Sequence, residues 1–337
     1  MRTSSAVMTD TAVRLWDLRF PSEQALLERT RAAYVDLDNL IAYSKADRDA
    51  KVHAYLACFR PDETLLFFFQ EGELVNAAKL APQGRFPMAI AEALVHAKAE
   101  PERAEFAFHS ASLEQLAAMY ASCSQPPAKL QLDPSSPKTV FDAVLAQKWS
   151  GLLEFIALGR VSYVWVKSGR FASGVFSEQM EGEDAKTYLA RMFASNKFEN
   201  KPRVAVKAFP GLEALPKQAP PALVKVFRQY VWDIVDAAGK ELPDAPKRAE
   251  KIRTKLTPHH EALKSVGGAR GSAFADPIVE TSQFAEALAA WTKDFLTELE
   301  VVHPTIAPKL LKDATREQRF QFAALGFFER LPWRIEW

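Results

Sequence analysis

Cysteine is nearly absent, with only Cys58 and Cys123 in 337 residues. The two lie far apart in ordinary surroundings, Leu56-Ala57-Cys58-Phe59 and Ala121-Ser122-Cys123, so reduced thiols in a reducing compartment are expected and no disulfide framework is. Histidine is scarce as well. The one adjacent pair, His259-His260, has no cysteine or second carboxylate cluster at ligand spacing, so it reads as a solvated turn after Pro258 and no metal is expected. Charge of one sign is missing too, since 43 basic residues face 42 acidic ones. That balance excludes a global field for drawing in nucleic acid or an anionic membrane. No stretch approaches the roughly 18 uncharged apolar residues of a membrane helix, and Met1 to Asp10 is polar, without the apolar core of a signal peptide. A cytoplasmic protein with no membrane contact is expected.

Catalytic signatures are equally thin. Serine, histidine and acidic residues form no nucleophile-elbow pattern. Gly267-Gly268-Ala269-Arg270-Gly271-Ser272 has the composition of an anion-cradling nest but lacks the lysine and preceding strand of a P-loop, and reads instead as a flexible inter-helix loop. No enzyme activity and no cofactor are expected.

What is present is an ordinary globular composition, 48% hydrophobic and 25% charged, cut by two proline-rich breaks. The first runs from Pro126-Pro127 through Pro134 to Pro137, the second from Pro210 to Pro220-Pro221. Proline removes a backbone donor and disfavours helix in the residue before it, so both read as linkers. The expected architecture is α+β: two tandem α/β modules with hairpin-containing sheets, at 15–123 and 138–209, then an all-helical domain at 220–337.

In the first module a helix around Leu37, Leu40, Ile41 and Tyr43 precedes an extended run Val52 to Phe59. A hairpin follows, Leu65 to Phe69 and Leu74 to Ala77, turning at Gln70-Glu71-Gly72-Glu73. A helix over Met88 to Ala97 and an alternating strand Ala104 to His109 come next, and Ser112-Leu113-Glu114-Gln115 opens another helix as a capping box. The second module repeats this order. A helix carrying Phe141, Val144 and Leu145 is followed by a strand Gly151 to Ile156 and a hairpin from Ser162-Val166 into Phe171-Gly174, turning at Lys167-Ser168-Gly169-Arg170. A helix over Ala185 to Phe193 and a strand Arg203 to Lys207 complete it. Gly169 follows Gly72 by 97 positions, and on that offset Phe106 falls within one position of Val204. The matched spacing points to a duplicated module. Beyond it, Leu223, Val226, Phe227, Tyr230, Val231 and Ile234 form one helical stripe, and Phe284, Leu288, Trp291 and Phe295 another. Thr315-Arg316-Glu317-Gln318 reads as the capping box of a last helix through Phe328, and the apolar ending Phe327 to Trp337 is expected to dock onto a surface.

Trp149-Ser150-Gly151-Leu152-Leu153-Glu154-Phe155 and Tyr163 through Gly174 resemble the PATAN domain, the amino-terminal module of PatA-type bacterial regulators. The pattern is a small residue and glycine opening a strand, a hydrophobic strand, a polar-glycine turn, and a strand ending in a small residue. Leu66 to Ala77 fits the hairpin part, while Lys51 stands where the first copy's opening glycine would be. The resemblance covers about half the chain and none of the helical domain. It implies a bacterial signalling or scaffolding protein that works by protein contacts, with a response regulator or small GTPase system as partner, and it leaves a homo-oligomer open.

Phe67, Phe68 and Phe69 are consecutive, so a strand must send Phe68 to the face opposite its neighbours. Either both faces are covered or one awaits a partner. On the scaffold reading the contact residues are Phe68, Trp165, Trp333 and Trp337, with Glu73 and Arg170 at the turns setting charge complementarity. Two other readings stay open. One is nucleic-acid binding through the basic run Lys247, Arg248, Lys251, Arg253 and Lys255, which has no stacking aromatics within it. The other is a small-molecule sensor or enzyme with a pocket between blocks.

Overall fold

The computed structural model describes residues 15–45, 52–195, 197–198, 201–202 and 204–337. It is an α+β structure whose contacts divide it into two units, one of Met1–Pro87 with Ala97–Leu215 and the other of Met88–His96 with Pro216–Trp337. Lys51 and Arg203 lie outside the described residues, and the strand register sets Ala54 rather than Lys51 at the place of Gly151, since Ala54 faces Phe69 as Gly151 faces Val166.

The first unit contains two sheets. Its elements begin with β1 (Gln24–Arg31), α1 (Leu37–Tyr43), β2 (Ala54–Arg60), β3 (Glu63–Gln70), β4 (Glu73–Ala81) and β5 (Gly84–Met88). After α2 (Ile90–Lys98) come β6 (Glu105–Ser110) and α3 (Leu113–Ser124). The first sheet has the order β1-β6-β2-β3-β4-β5. Its two outer strands went unread in the sequence because each is an edge: β1 is mostly exposed and polar, and β5 carries Pro87. The chain continues with α4 (Pro137–Ala146), β7 (Gly151–Ala157), β8 (Arg160–Lys167), β9 (Arg170–Val175) and α5 (Ala185–Ser195). A two-residue ladder, β10 (Lys197–Phe198) with β11 (Lys201–Pro202), precedes β12 (Ala205–Phe209), and the second sheet has the order β12-β7-β8-β9.

Within these sheets β6-β2-β3-β4 and β12-β7-β8-β9 share one topology, and the hairpin corners share one geometry. Glu71 and Gly72 have φ of 54° and 75°, and Ser168 and Gly169 have 50° and 79°, so each corner needs two left-handed residues in a row. The Gly72 amide donates to Val52 O at 2.9 Å and the Gly169 amide to Trp149 O at 2.7 Å. One residue earlier, the Glu71 amide donates to His53 Nδ1 at 3.2 Å and the Ser168 amide to Ser150 Oγ at 2.8 Å. Each of these pairs is separated by the same 97 positions as the glycines. Even the bulge is shared, falling between Phe68 and Phe69 in one ladder and between Trp165 and Val166 in the other. Each corner also abuts the end of the helix before it: a Cβ on Gly72 would run into the Ser44 carbonyl, and one on Gly169 would lie 2.5 Å from Leu145 Cα. The fourth strands depart from the expected offset. Cys58 faces Phe106 while Phe155 faces Val206, so Phe106 corresponds to Val206 rather than to a neighbour of Val204, the connections before β6 and β12 being of different length.

Helix α3 lies between the sheets. Its buried run Gln115 to Cys123 packs Leu116, Met119 and Tyr120 with Tyr55, Leu66 and Phe68 of the first sheet and Leu152, Val161 and Tyr163 of the second. The other face of the second sheet holds Leu153, Phe155 and Val164 against Val140 and Val144 of α4 and Tyr188, Leu189 and Met192 of α5. On α4 the buried ridge is therefore Val140 and Val144, and Leu145 is exposed. Half of the capping box at Ser112 forms: Ser112 Oγ accepts from the Gln115 amide, but the Gln115 side chain turns inward to donate to Pro21 O.

A buried ion pair crosses this core. Arg85 of β5 donates to the fully buried carboxylate of Glu154 on β7 and, at 3.0 Å, to the Ser122 hydroxyl of α3. Ser122 Oγ in turn lies 3.4 Å from the Tyr163 hydroxyl. Burial works against the charge on Arg85, but the adjacent Glu154 carboxylate outweighs it and holds the guanidinium above its ordinary pKa.

The second unit is helical: α6 (Pro221–Glu241), α7 (Ala245–Leu256), α8 (Thr281–Glu300), α9 (Ile306–Thr315) and α10 (Arg319–Ala324). Phe227, Tyr230, Val231 and Ile234 of α6 meet Phe284, Leu288, Trp291 and Phe295 of α8 in one core, while Leu223 and Val226 sit at its margin. Thr315 stands before the 3-10 turn Arg316–Gln318 that leads into α10, but its side chain makes no capping bond: it is the buried last residue of α9, its hydroxyl donating to Leu311 O at 2.6 Å. The segment Met88–His96, read from sequence as part of the first module, belongs to this unit; Gln218 Oε1 accepts from the Ile90 amide at 2.8 Å and its Nε2 donates to Met88 O at 3.2 Å.

Replacing either partner of the buried pair alone, by Arg85→Met or Glu154→Leu, is expected to destabilise the first unit by about 3–5 kcal/mol, with the double replacement recovering most of the loss. Equilibrium urea unfolding of the three variants measures this. Gly169→Ala is expected to cost on the order of 1–3 kcal/mol, because a Cβ meets both a left-handed φ and the backbone of α4. Exposed Gly182, with open space around it, is the control for the same substitution.

Candidate interaction surface

The corner of the second hairpin is exposed and basic. Trp149 O holds the Gly169 amide, which places Lys148 beside the turn residues Lys167 and Arg170. All three cations are exposed, and none forms an ion pair with a described residue. Phe171 follows Arg170 on β9 and is 45% exposed, an aromatic ring on the rim of the sheet. The equivalent first corner is acidic, with Glu73 exposed and paired to Lys45 at 2.6 Å. One backbone frame thus carries an ion-paired acid at its first position and exposed cations at its second.

The other expected contact residues divide. Phe68 is fully buried, its ring edge-on to Tyr120 at 5.5 Å, and so cannot present itself to a partner. The run of three phenylalanines arises because both faces of the first sheet are covered: Phe67 and Phe69 are buried as well, Phe69 against Phe108. Trp165 is half-buried against the core shared with α3. Trp333 packs on the helical core and donates from Nε1 to Glu300 at 2.9 Å. Trp337 remains 48% exposed, edge-on to Phe328 at 5.5 Å, while Lys312 Nζ donates to Glu336 O at 2.6 Å. The apolar ending therefore docks within its own unit and leaves one aromatic face outward. Beside it the Arg319 guanidinium stands 4.5 Å from the ring of Phe320, which is 75% exposed, and 5.6 Å from that of Trp337.

No known family, curated protein or solved structure matches the chain. No helix among the described residues is long and apolar enough to cross a membrane.

The basic run lies on α7, where acids answer much of it. Arg248 pairs with Asp244 at 2.8 Å, Arg253 with Glu250, and Lys255 with Asp294 at 3.7 Å, leaving Lys247 and Lys251 on the exposed side. Such a helix offers little net positive field to a phosphate backbone. The glycine loop is fastened from beneath rather than loose. Arg228 of α6 donates to Ser265 O at 2.7 Å, Phe274 O at 3.1 Å and Ala275 O at 3.0 Å and pairs with Asp276, while Trp232 Nε1 donates to Gly267 O. Within the helical unit a cleft of about 700 Å³ is lined by Lys225, Asp233, Asp313, Arg316 and Glu317 over Tyr230. Its charges are of both signs, with Asp313 and Arg316 joined at 2.6 Å. Among the described residues no group of three or more metal-ligating side chains converges.

No local pattern in the sequence marks Phe171, Arg319 or Phe320 as surface residues. Phe171 and Phe320 each sit in an apolar pattern that fits a core, and only the exposed edge of β9 and the shortness of α10 leave them outside.

Both cysteines are buried, and burial pushes the Cys58 thiol up to about 12 and the Cys123 thiol up to about 11. The thiolate is the nucleophile, so neither is poised for chemistry. Titration of the native chain with a thiol reagent at pH 8 is expected to modify neither, and both should react once the chain is unfolded in urea.

Proposed function

We propose that the chain is a non-enzymatic interaction scaffold in bacterial signalling, built on a PATAN-like module used twice and extended by a helical domain. The observation that carries this reading is the pair of hairpin corners, alike in backbone hydrogen bonds and bulge yet bearing an acid paired with Lys45 at Glu73 and exposed cations at Lys167 and Arg170. A frame held constant while its outward residues change sign is what display of different contacts requires, since partner choice follows charge complementarity at the rim and aromatic anchors at the centre. The exposed rings of Phe171, Phe320 and Trp337 supply such anchors. The resemblance of Trp149–Phe155 and Tyr163–Gly174 to the PATAN pattern supports the signalling context and suggests a response regulator or small GTPase system as partner.

The test is affinity capture from source cells with the wild-type chain, Arg170→Glu, Phe320→Ser and a chain lacking Trp337, each checked for unchanged melting temperature. Loss of specific partners from stable variants is expected. An unchanged partner set at unchanged stability would remove the reading.

A further inference from the structure

We infer that the outer edge of β9 is a docking site for an extended peptide segment of a partner protein, one whose C-terminal end carries an apolar residue followed by acidic ones. This rests on the scaffold reading and names the partner's chemistry at its second hairpin.

Sheet edges are templates for further strands, and folded proteins blunt them. Three edges of the two sheets are blunted here. β1 is charged and carries two register shifts against β6, β5 (Gly84–Met88) contains Pro87, and the outer side of β12 is covered by the linker, the Ala128 amide donating to Ala208 O at 2.7 Å. β9 contains no proline, no described segment crosses its outer side, and its one register shift against β8 is the bulge shared with β4. Arg170, Phe171 and Ala172 are exposed, and no described strand lies beyond it. Its bulge is no obstacle, because β4 has the same bulge and still carries β5 on its outer side.

The first sheet also shows how the site is filled. β5 joins β4 through the two-residue turn Pro82-Gln83, so it runs antiparallel along the part of β4 beyond the bulge. A segment in the same place on the second sheet pairs with Gly174 and Val175 and points its C-terminal end toward the corner. There it meets Phe171 first and then Arg170, Lys167 and Lys148, cations with no ion-pair partner among the described residues. Main-chain bonds supply affinity in such strand addition, and the side chains met along the edge supply selectivity. In a two-residue hairpin the pair closing the turn, Lys167 with Arg170, is hydrogen-bonded, so the next pair turns its amides outward and the Phe171 N–H is available to the incoming strand.

Panning a phage library of random heptapeptides on the immobilised full chain tests this. Enriched sequences are expected to alternate apolar residues and to end in Asp or Glu. Synthetic versions, followed by fluorescence anisotropy, are expected to lose affinity on the order of tenfold on Lys167→Glu/Arg170→Glu and to weaken with added salt. Phe171→Pro, which removes the outward amide, is expected to abolish binding; if it unfolds the chain by circular dichroism, the charge-reversed variant decides alone. Enrichment without acidic ends, no enrichment, or full affinity for the charge-reversed chain overturns the proposal. Should peptides fail while captured partners still depend on Phe320 or Trp337, the strand site falls and the scaffold stands. Should peptides bind while no captured partner depends on any variant, the scaffold reading falls with the site reduced to a peptide-binding edge.

Discussion

Each sheet is set by a glycine pressed against the end of a helix. At Gly72 and Gly169 the chain must turn with two successive left-handed residues and must bring its backbone within contact of Ser44 or Leu145, where a Cβ has no room. That approach fixes the helix relative to the hairpin, and the amide bonds to Val52 and Trp149 fix the strand before it. Strand order, bulge position and the covered faces follow from these few constraints, which is why two stretches with little residue identity adopt one pattern.

The second constraint is the burial of α3 between two sheets. A helix with nine consecutive buried residues, Gln115 to Cys123, has no polar face to give to water, so its polar groups find partners inside. Gln115 reaches Pro21 O, and Ser122 joins the Arg85–Glu154 pair. Such a pair contributes little net stability against an apolar replacement, yet either charge alone would be stranded. Arg85 comes from β5, the strand that the second sheet lacks, and Glu154 from a position where the first sheet has Ala57. The same departure from symmetry that leaves β9 bare therefore ties the sheets together.

The surface follows from what the core does not need. Phe68 goes inward because its strand is covered on both faces, whereas β9 is a margin and exposes Phe171. On α7, Asp244, Glu250 and Asp294 lie near enough to pair with Arg248, Arg253 and Lys255, and a run of five bases in sequence becomes two without an acidic partner among the described residues.

Local information settled the hairpins, the glycine corners, the helical stripes of α6 and α8 and the α+β class, because turn chemistry and apolar period act within a few residues. The corner residues Glu73 and Arg170 were legible for the same reason, as both belong to turns. Tertiary structure alone decided that β1 and β5 complete the first sheet, that Phe68 is interior and Phe171 exterior, that Arg85 meets Glu154, and that Met88–His96 joins the helical unit. Each of these depends on segments distant in sequence competing for the same apolar surface or the same charge, a competition that no local pattern records.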